Sequence, residues 1–281
     1  MLSLLQLAAR LPLPLLHVLG AILGWATYLC SPRYRRYVRQ NLKAAGLGDS
    51  RLRSAAVAEA GKSAMETPAL WLRPLDRVAA LVREVQGWEH VERGAALGNG
   101  VIIMTPHIGS WEIVGQFVAS RMPITVMYSP PKIQALEALM RTGRSRGSAM
   151  TSVPADLRGV RAMVKALKRR EAVGMLPDQV PSGGEGEWAD FFGRPAYTMT
   201  LVNRLSSRTG APVLLCHAQR LPKGHGYRFT AEPLLVPLAS ESPVRALNRS
   251  LEALIRRYPE QYLWGYNRYK VPAGVRPPGR G

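Results

Sequence analysis

Residues 11–30, LPLPLLHVLGAILGWATYLC, form a run of 20 residues without a formal charge. A helix of that length reaches roughly 30 Å, about the hydrocarbon thickness of a bilayer, so lipid or protein must cover it. Pro12 and Pro14 place the helix start near residue 12. Trp25 and Tyr28 lie near its far end, where amphipathic rings suit a headgroup boundary. Five basic residues follow at once (Arg33, Arg35, Arg36, Arg39 and Lys43), a flank that holds the cytoplasmic side. A cleaved signal peptide would carry its basic residues ahead of the apolar run, and a lipoprotein signal would place a small residue, not Leu29, before Cys30. The expectation is a retained membrane anchor over residues 1–30, spanning the bilayer or lying in one leaflet, and one further domain over residues 31–281.

The body alternates strand-like and helix-like patterns. Residues 51–72 are alanine-rich and helical in composition, with a break predicted near Pro68. VIIMT (101–105), PITVMYS (123–129), AVGMLPDQ (172–179), APVLLCHAQ (211–219) and YRFTAEPLL (227–235) read as strands. SWEIVGQFVAS (110–120), KIQALEALMRTGRSRG (132–147), LRGVRAMVKALKRR (157–170) and PVRALNRSLEALIRRYP (243–259) carry helical spacing. This alternation predicts an α/β fold, a mixed central sheet flanked by helices, with the N-terminal membrane helix beside it. In such sheets ligands bind beyond the carboxyl ends of the strands, and both His107 and Asp178 follow strand ends.

TPHIGSWEI (105–113) holds the sharpest candidate chemistry. Five positions separate His107 from Glu112, about 140° on a single helix, so the two cannot share one helical face. A turn at Ile108-Gly109, with a helix opening near Ser110 as N-cap, lets Glu112 reach back from the first turn towards the imidazole. The histidine would then serve as a general base near neutral pH, with Glu112 fixing its tautomer. Spacing alone leaves a structural turn, or a glutamate complementing a helix dipole, as the simpler reading. The other histidines (17, 90, 217 and 225) show no metal-ligand spacing, so no metal site is expected. Ser110 is not in a nucleophile elbow, and phosphate-binding glycine loops are missing, so no cofactor is expected. Cys30 and Cys216 form neither a disulfide framework nor a zinc motif, and Cys216 reads as a buried thiol.

Charge narrows the partners. The chain carries 38 Lys and Arg against 19 Asp and Glu, a net +19, which suits anionic lipid, an acidic protein or nucleic acid. No nucleic-acid-binding motif accompanies it.

The H-x4-E spacing of His107 and Glu112 resembles the motif of the lysophospholipid acyltransferase superfamily, and the whole chain to about residue 270 resembles its bacterial lipid A late-acyltransferase branch. RYVRQNLKAAG (36–46), LPDQVP (176–181), ADFFGRPAYTMT (189–200) and PEQYLWGYNRYK (259–270) carry the resemblance beyond the single motif. It implies transfer of a fatty acyl chain from acyl carrier protein to a hydroxyl of an anionic lipid A precursor, at the cytoplasmic face of the bacterial inner membrane. The same transfer to an ornithine lipid, a lysophospholipid or another glycolipid is the alternative. His107 is implied as the base and Glu112 as its orienting partner. Arg144, Arg146 and Arg194 are implied to meet substrate phosphate, Asp178 to position substrate or an arginine, and Phe191 and Phe192 to line a lipid contact; a solvated basic helix end, a loop-capping aspartate and ordinary core packing are the respective alternatives for Arg144 and Arg146, for Asp178 and for the phenylalanines. SGGEGEW (182–188) reads as a flexible loop over the site. Where many relatives carry His-Arg, this chain has Tyr266 and Asn267, so no catalytic role is assigned there.

Overall fold

The computed structural model describes residues 6, 9–129, 140, 143–144, 149–182 and 184–277. Helices α1 (Leu13–Cys30), α2 (Pro32–Ala44), α3 (Ser50–Leu72) and α4 (Leu75–Ala79) precede the first strand, β1 (Val82–Gln86). Then come α5 (Trp88–Ala96), β2 (Val101–Met104), α6 (Trp111–Ala119), β3 (Ile124–Tyr128), β4 (Met150–Pro154), α7 (Leu157–Lys168) and β5 (Ala172–Met175). The chain continues through β6 (Gly186–Phe191), β7 (Arg194–Met199), α8 (Leu201–Thr209), β8 (Val213–Arg220), β9 (Tyr227–Pro233) and α9 (Pro243–Arg257).

Seven strands form one sheet in the order β1-β9-β8-β2-β5-β3-β4, and β6 and β7 form a separate hairpin. The sheet is mixed: β8 and β9 pair antiparallel, whereas β8-β2-β5-β3-β4 and β1-β9 pair parallel. The predicted α/β architecture is therefore present. Strands β2 and β5 lie inside the sheet with every residue buried, which is why VIIM and AVGM are apolar without alternation.

The apolar N-terminal run is the helix α1, long and apolar enough to cross a membrane. It packs antiparallel along α3: Gly20 meets Lys62, and Gly24 meets Val57 and Gly61. The glycines permit this approach, since a Cβ on Gly61 would lie 1.9 Å from the Gly20 carbonyl oxygen. One stripe of α1 (Leu13, Leu16, His17, Gly20, Gly24, Tyr28) is buried on the body. The opposite face exposes Leu15, Val18, Leu19, Ile22, Leu23, Trp25 and Leu29.

Several local expectations are corrected. Helix α3 runs unbroken through Pro68, because its last turns, with Ala69, Leu70 and Trp71, are buried against the body. That packing outweighs the backbone donor Pro68 lacks. Strands β1 and β4 were not legible, since VREVQ and MTSVP are short edge strands with mostly exposed or half-buried residues. Residues 184–188 of SGGEGEW are not a free loop: Gly186 opens β6, and the Tyr197 hydroxyl accepts the backbone N–H groups of Gly184 and Gly186. Most of the helix expected over residues 132–147 lies outside the described residues.

Candidate active site

The site grows from sheet register. Strands β2 and β5 are parallel neighbours with Met104 opposite Met175, so continuing three residues past each brings His107 beside Asp178. A proline precedes both, at 106 and 177. The Thr105 N–H reaches the Met175 carbonyl at 3.0 Å, extending the ladder one step before the strands part.

Asp178 is the carboxylate that holds the histidine. Its Oδ1 lies 2.9 Å from His107 Nδ1, and its Oδ2 accepts the His107 backbone N–H at 3.0 Å. Burial alone would raise the Asp178 carboxyl, but the His107 ring and backbone donors keep it below the usual carboxylate range. With Nδ1–H donated to Asp178, the Nε2 lone pair faces outward and accepts the Gln179 side-chain amide at 3.1 Å.

Glu112 lies in the first turn of α6 as expected, but its carboxylate does not hold the imidazole. Its Oε2 accepts Trp71 Nε1–H at 2.8 Å and Arg144 Nε–H at 3.1 Å, and its Oε1 accepts the Arg144 Nη2. Desolvation opposes ionisation of this buried group, yet Arg144 and Trp71 hold its carboxyl below the usual value. The reason the two carboxylates make these separate contacts is direction. The first turn of α6 aims Glu112 towards α3 and Arg144, while His107 turns towards the end of β5.

The turn between them is pinned on every side. Gly109 has φ of 56°, and a Cβ there would lie 2.0 Å from the Ala218 carbonyl oxygen, so only glycine fits. Gly109 N–H donates to the Gln261 carbonyl, Ser110 N–H to the Ala218 carbonyl, and Leu263 N–H to the His107 carbonyl. Ser110 stands at the N-cap of α6, without a side-chain cap hydrogen bond. Below the turn, buried Arg220 donates to the Gly109 carbonyl at 2.7 Å, to Glu66 at 2.8 and 3.0 Å and to Ser63. Glu66 also meets His17 of α1 at 2.9 Å, which links the membrane-type helix to the histidine's loop.

His107, Trp111, Arg144 and Gln179 open onto a cavity of about 680 Å³ at the carboxyl edge of the parallel strands. Met127, Val160, Val164, Met175, Leu201 and Leu205 make much of its wall apolar. Arg204 and Arg208, on α8, line it as well. A smaller crevice between α6 and the sheet adjoins it, sharing Trp111, Arg144 and Met175.

The remaining expected residues separate. Arg194 stands in the hairpin with its guanidinium 4.1 Å from the centre of the Tyr269 ring, and it does not line the cavity. Phe191 and Phe192 are core residues, since FFGR is a two-residue hairpin turn with Phe192 and Gly193 both at positive φ. Arg146 lies outside the described residues. The Tyr266 hydroxyl accepts the Val180 N–H at 3.0 Å, and Asn267 donates to the Tyr37 hydroxyl at 3.3 Å, so both brace the site from outside it. Asn41, in RYVRQNLK, donates to the Trp264 and Tyr266 carbonyls at 2.7 Å, which ties those two distant blocks together in the fold. Sequence reasoning missed Gln179, Arg204, Arg208 and Arg220. Among the described residues, no group of three or more His, Cys, Asp or Glu side chains is placed to hold a metal ion.

Comparison of the sequence with known proteins finds relatives along nearly its whole length. The lipid A biosynthesis palmitoleoyltransferase of Escherichia coli (strain K12) is 30% identical, over 97% of this chain and 91% of its own length. The lipid A biosynthesis lauroyltransferase of the same organism is 29% identical, over 96% and 90%. A family model described as bacterial lipid A biosynthesis acyltransferase covers residues 1–271. A match over nearly the whole chain, apolar N-terminal helix and C-terminal block included, shows that this chain belongs to the bacterial lipid A biosynthesis acyltransferase family.

Proposed function

We propose that this chain transfers a fatty acyl group from an acyl carrier protein thioester to a hydroxyl of a lipid A precursor, with His107 as the general base. The observation that carries the reading is the His107–Asp178 pair at 2.9 Å, with Nε2 presented to a cavity whose wall is partly apolar. An acceptor hydroxyl displacing the Gln179 amide would give its proton to Nε2. Its oxygen attacks the thioester carbonyl carbon to form a tetrahedral intermediate, which collapses by breaking the C–S bond. The leaving thiolate recovers the proton from the imidazolium, and no acyl-enzyme forms. Asp178 stabilises the imidazolium and fixes the tautomer. Glu112 is a positioning residue, which holds the Arg144 guanidinium at the cavity wall.

The placement of the substrates follows from charge and burial. A net +19 suits an acidic carrier protein, an anionic glycolipid and an anionic membrane surface together. Because α1 is docked along α3, its exposed apolar face would enter one leaflet side-on at the cytoplasmic face of the inner membrane, with the exposed Arg33, Arg36 and Arg39 near the headgroups.

Purified wild type and His107→Ala, given an acyl carrier protein thioester and a lipid A precursor, test the reading by mass spectrometry. The expected result is one added acyl chain with wild type and none with a folded His107→Ala. Transfer by His107→Ala at near wild-type rate would remove the base. Acylation of another lipid but not of the precursor would remove the acceptor.

A further inference from the structure

The cavity wall carries two cations that the chemistry above does not use. Arg204 and Arg208 are one turn apart on α8, both exposed, and neither forms an ion pair among the described residues. Helix α8, LVNRLSSRT, contains no acidic residue. Two like charges at this spacing lie about 6 Å apart at their Cβ atoms and repel one another. The C-terminal end of the helix dipole favours Arg208 in the last turn, but Arg204 gains nothing from it.

The other charged groups lining the cavity are committed or outnumbered. Arg144 is bound by Glu112, and Asp156 is bound by Arg158 and by the first turn of α7. Among the described residues, Glu185 is the acid left facing the same space, against two arginines. Leu201 and Leu205 sit on the same face of α8 as Arg204 and Arg208, so apolar surface adjoins the cations directly. A molecule filling this cavity meets hydrocarbon, then two guanidinium forks. Such forks match phosphate oxygens in a way that a water-filled rim does not require.

We infer that Arg204 and Arg208 form a phosphate subsite of the acyl-transfer cavity, taking a phosphate group attached to a lipid or to a pantetheine-type arm. The inference rests on the proposed acyl-transfer function for its biological ligand, but not for its binding chemistry. The sugar phosphate of the acceptor and the phosphodiester of the carrier's prosthetic arm present the same oxygens, and either would bridge the pair.

Two measurements on the full-length protein test it. The first is direct binding of dodecyl phosphate and of dodecanol, by calorimetry, to wild type, Arg204→Gln/Arg208→Gln and Arg204→Lys/Arg208→Lys. Wild type should prefer the phosphate at least about 10-fold. The Gln pair should bind both probes alike, and the Lys pair should keep part of the preference. Equal binding of the two probes by wild type, or an unchanged preference in the Gln pair, overturns the inference whether or not the protein turns over. Thermal melts of the three proteins check that these exposed substitutions leave the fold intact.

The second measurement identifies the source of the phosphate. Turnover is compared with an intact and an enzymatically dephosphorylated acceptor, and with acyl thioesters on phosphopantetheine and on pantetheine. The Gln pair should raise KM about 30-fold for one phosphate-bearing substrate, with kcat within threefold, and should match wild type on its phosphate-free counterpart. An equal loss on both forms of each substrate rejects a phosphate subsite. Failure of wild type to acylate the acceptor would count against the proposed function alone.

Discussion

Replacing Asp178 by asparagine separates the orienting carboxylate from everything else at the site. The side chain is buried and keeps its shape, so packing is preserved, but the charge facing His107 Nδ1 at 2.9 Å is lost. Two effects add. The hydrogen bond to an imidazolium loses its ionic assistance, about 1.5–3 kcal/mol in a buried setting. The substituted side-chain amide can also turn its NH2 towards Nδ1, which moves the ring proton to Nε2 and removes the base. In the serine-protease triad the corresponding change costs about 10⁴ in kcat. Here kcat is expected to fall about 10²- to 10⁴-fold, or about 3–5 kcal/mol of transition-state stabilisation. KM should stay within about threefold, since Asp178 lies behind the histidine rather than on the cavity wall. The assay is steady-state transfer read by mass spectrometry, with a thermal melt to show folding. A folded Asp178→Asn variant within threefold of wild-type kcat would refute the orienting role and return the choice of partner to Glu112.

Three other perturbations test the surrounding structure. Burial works against ionisation of Glu66, but Arg220 and His17 outweigh it and hold the carboxyl at about 2, against 4.5 for the free side chain. Its contribution is therefore complete above about pH 4.5 and lost as pH falls towards 2, so the melting temperature should drop over that window; Glu66→Gln should flatten this slope while costing about 3–5 kcal/mol near neutrality. Val18 and Ile22 are 58% and 62% exposed on the outer face of α1, so Val18→Glu with Ile22→Glu should abolish flotation with anionic vesicles and leave the melting curve in place; unchanged flotation would remove α1 as the membrane contact. Gly109→Ala must move the turn away from the Ala218 carbonyl, and activity should fall at least about 10²-fold, because a displacement of an ångström is enough to lose catalytic alignment; an active variant would show the turn to be yielding.

Much of this site was local in character and therefore legible. His107 and Asp178 each follow a proline at the end of a short apolar run, and Gly109 marks a turn that only glycine makes. What stayed hidden was the choice of partner. Glu112 is five residues from His107, and Asp178 is seventy-one, yet the distant carboxylate makes the contact. Arg220 gave no signal either, since an arginine at the end of a strand reads as surface until Glu66, Ser63 and the Gly109 carbonyl are seen around it. Phe191 and Phe192 stayed ambiguous for the opposite reason: an aromatic pair beside Gly-Arg suits a lipid contact as well as it suits the core packing of a hairpin turn, and the structure has the latter.

From sequence alone came the apolar helix with its basic flank, the α/β alternation, the strand-end positions of His107 and Asp178 and the family resemblance. Those features are set by composition and by neighbours a few residues apart. Tertiary structure decided that α1 lies along α3 instead of standing free, and that β5 pairs with β2. From that pairing follows the histidine's contact with Asp178. The physical reason is that strand order and helix docking are settled by burial over the whole chain, whereas a hydrogen bond forms only between the groups that this burial brings within about 3 Å.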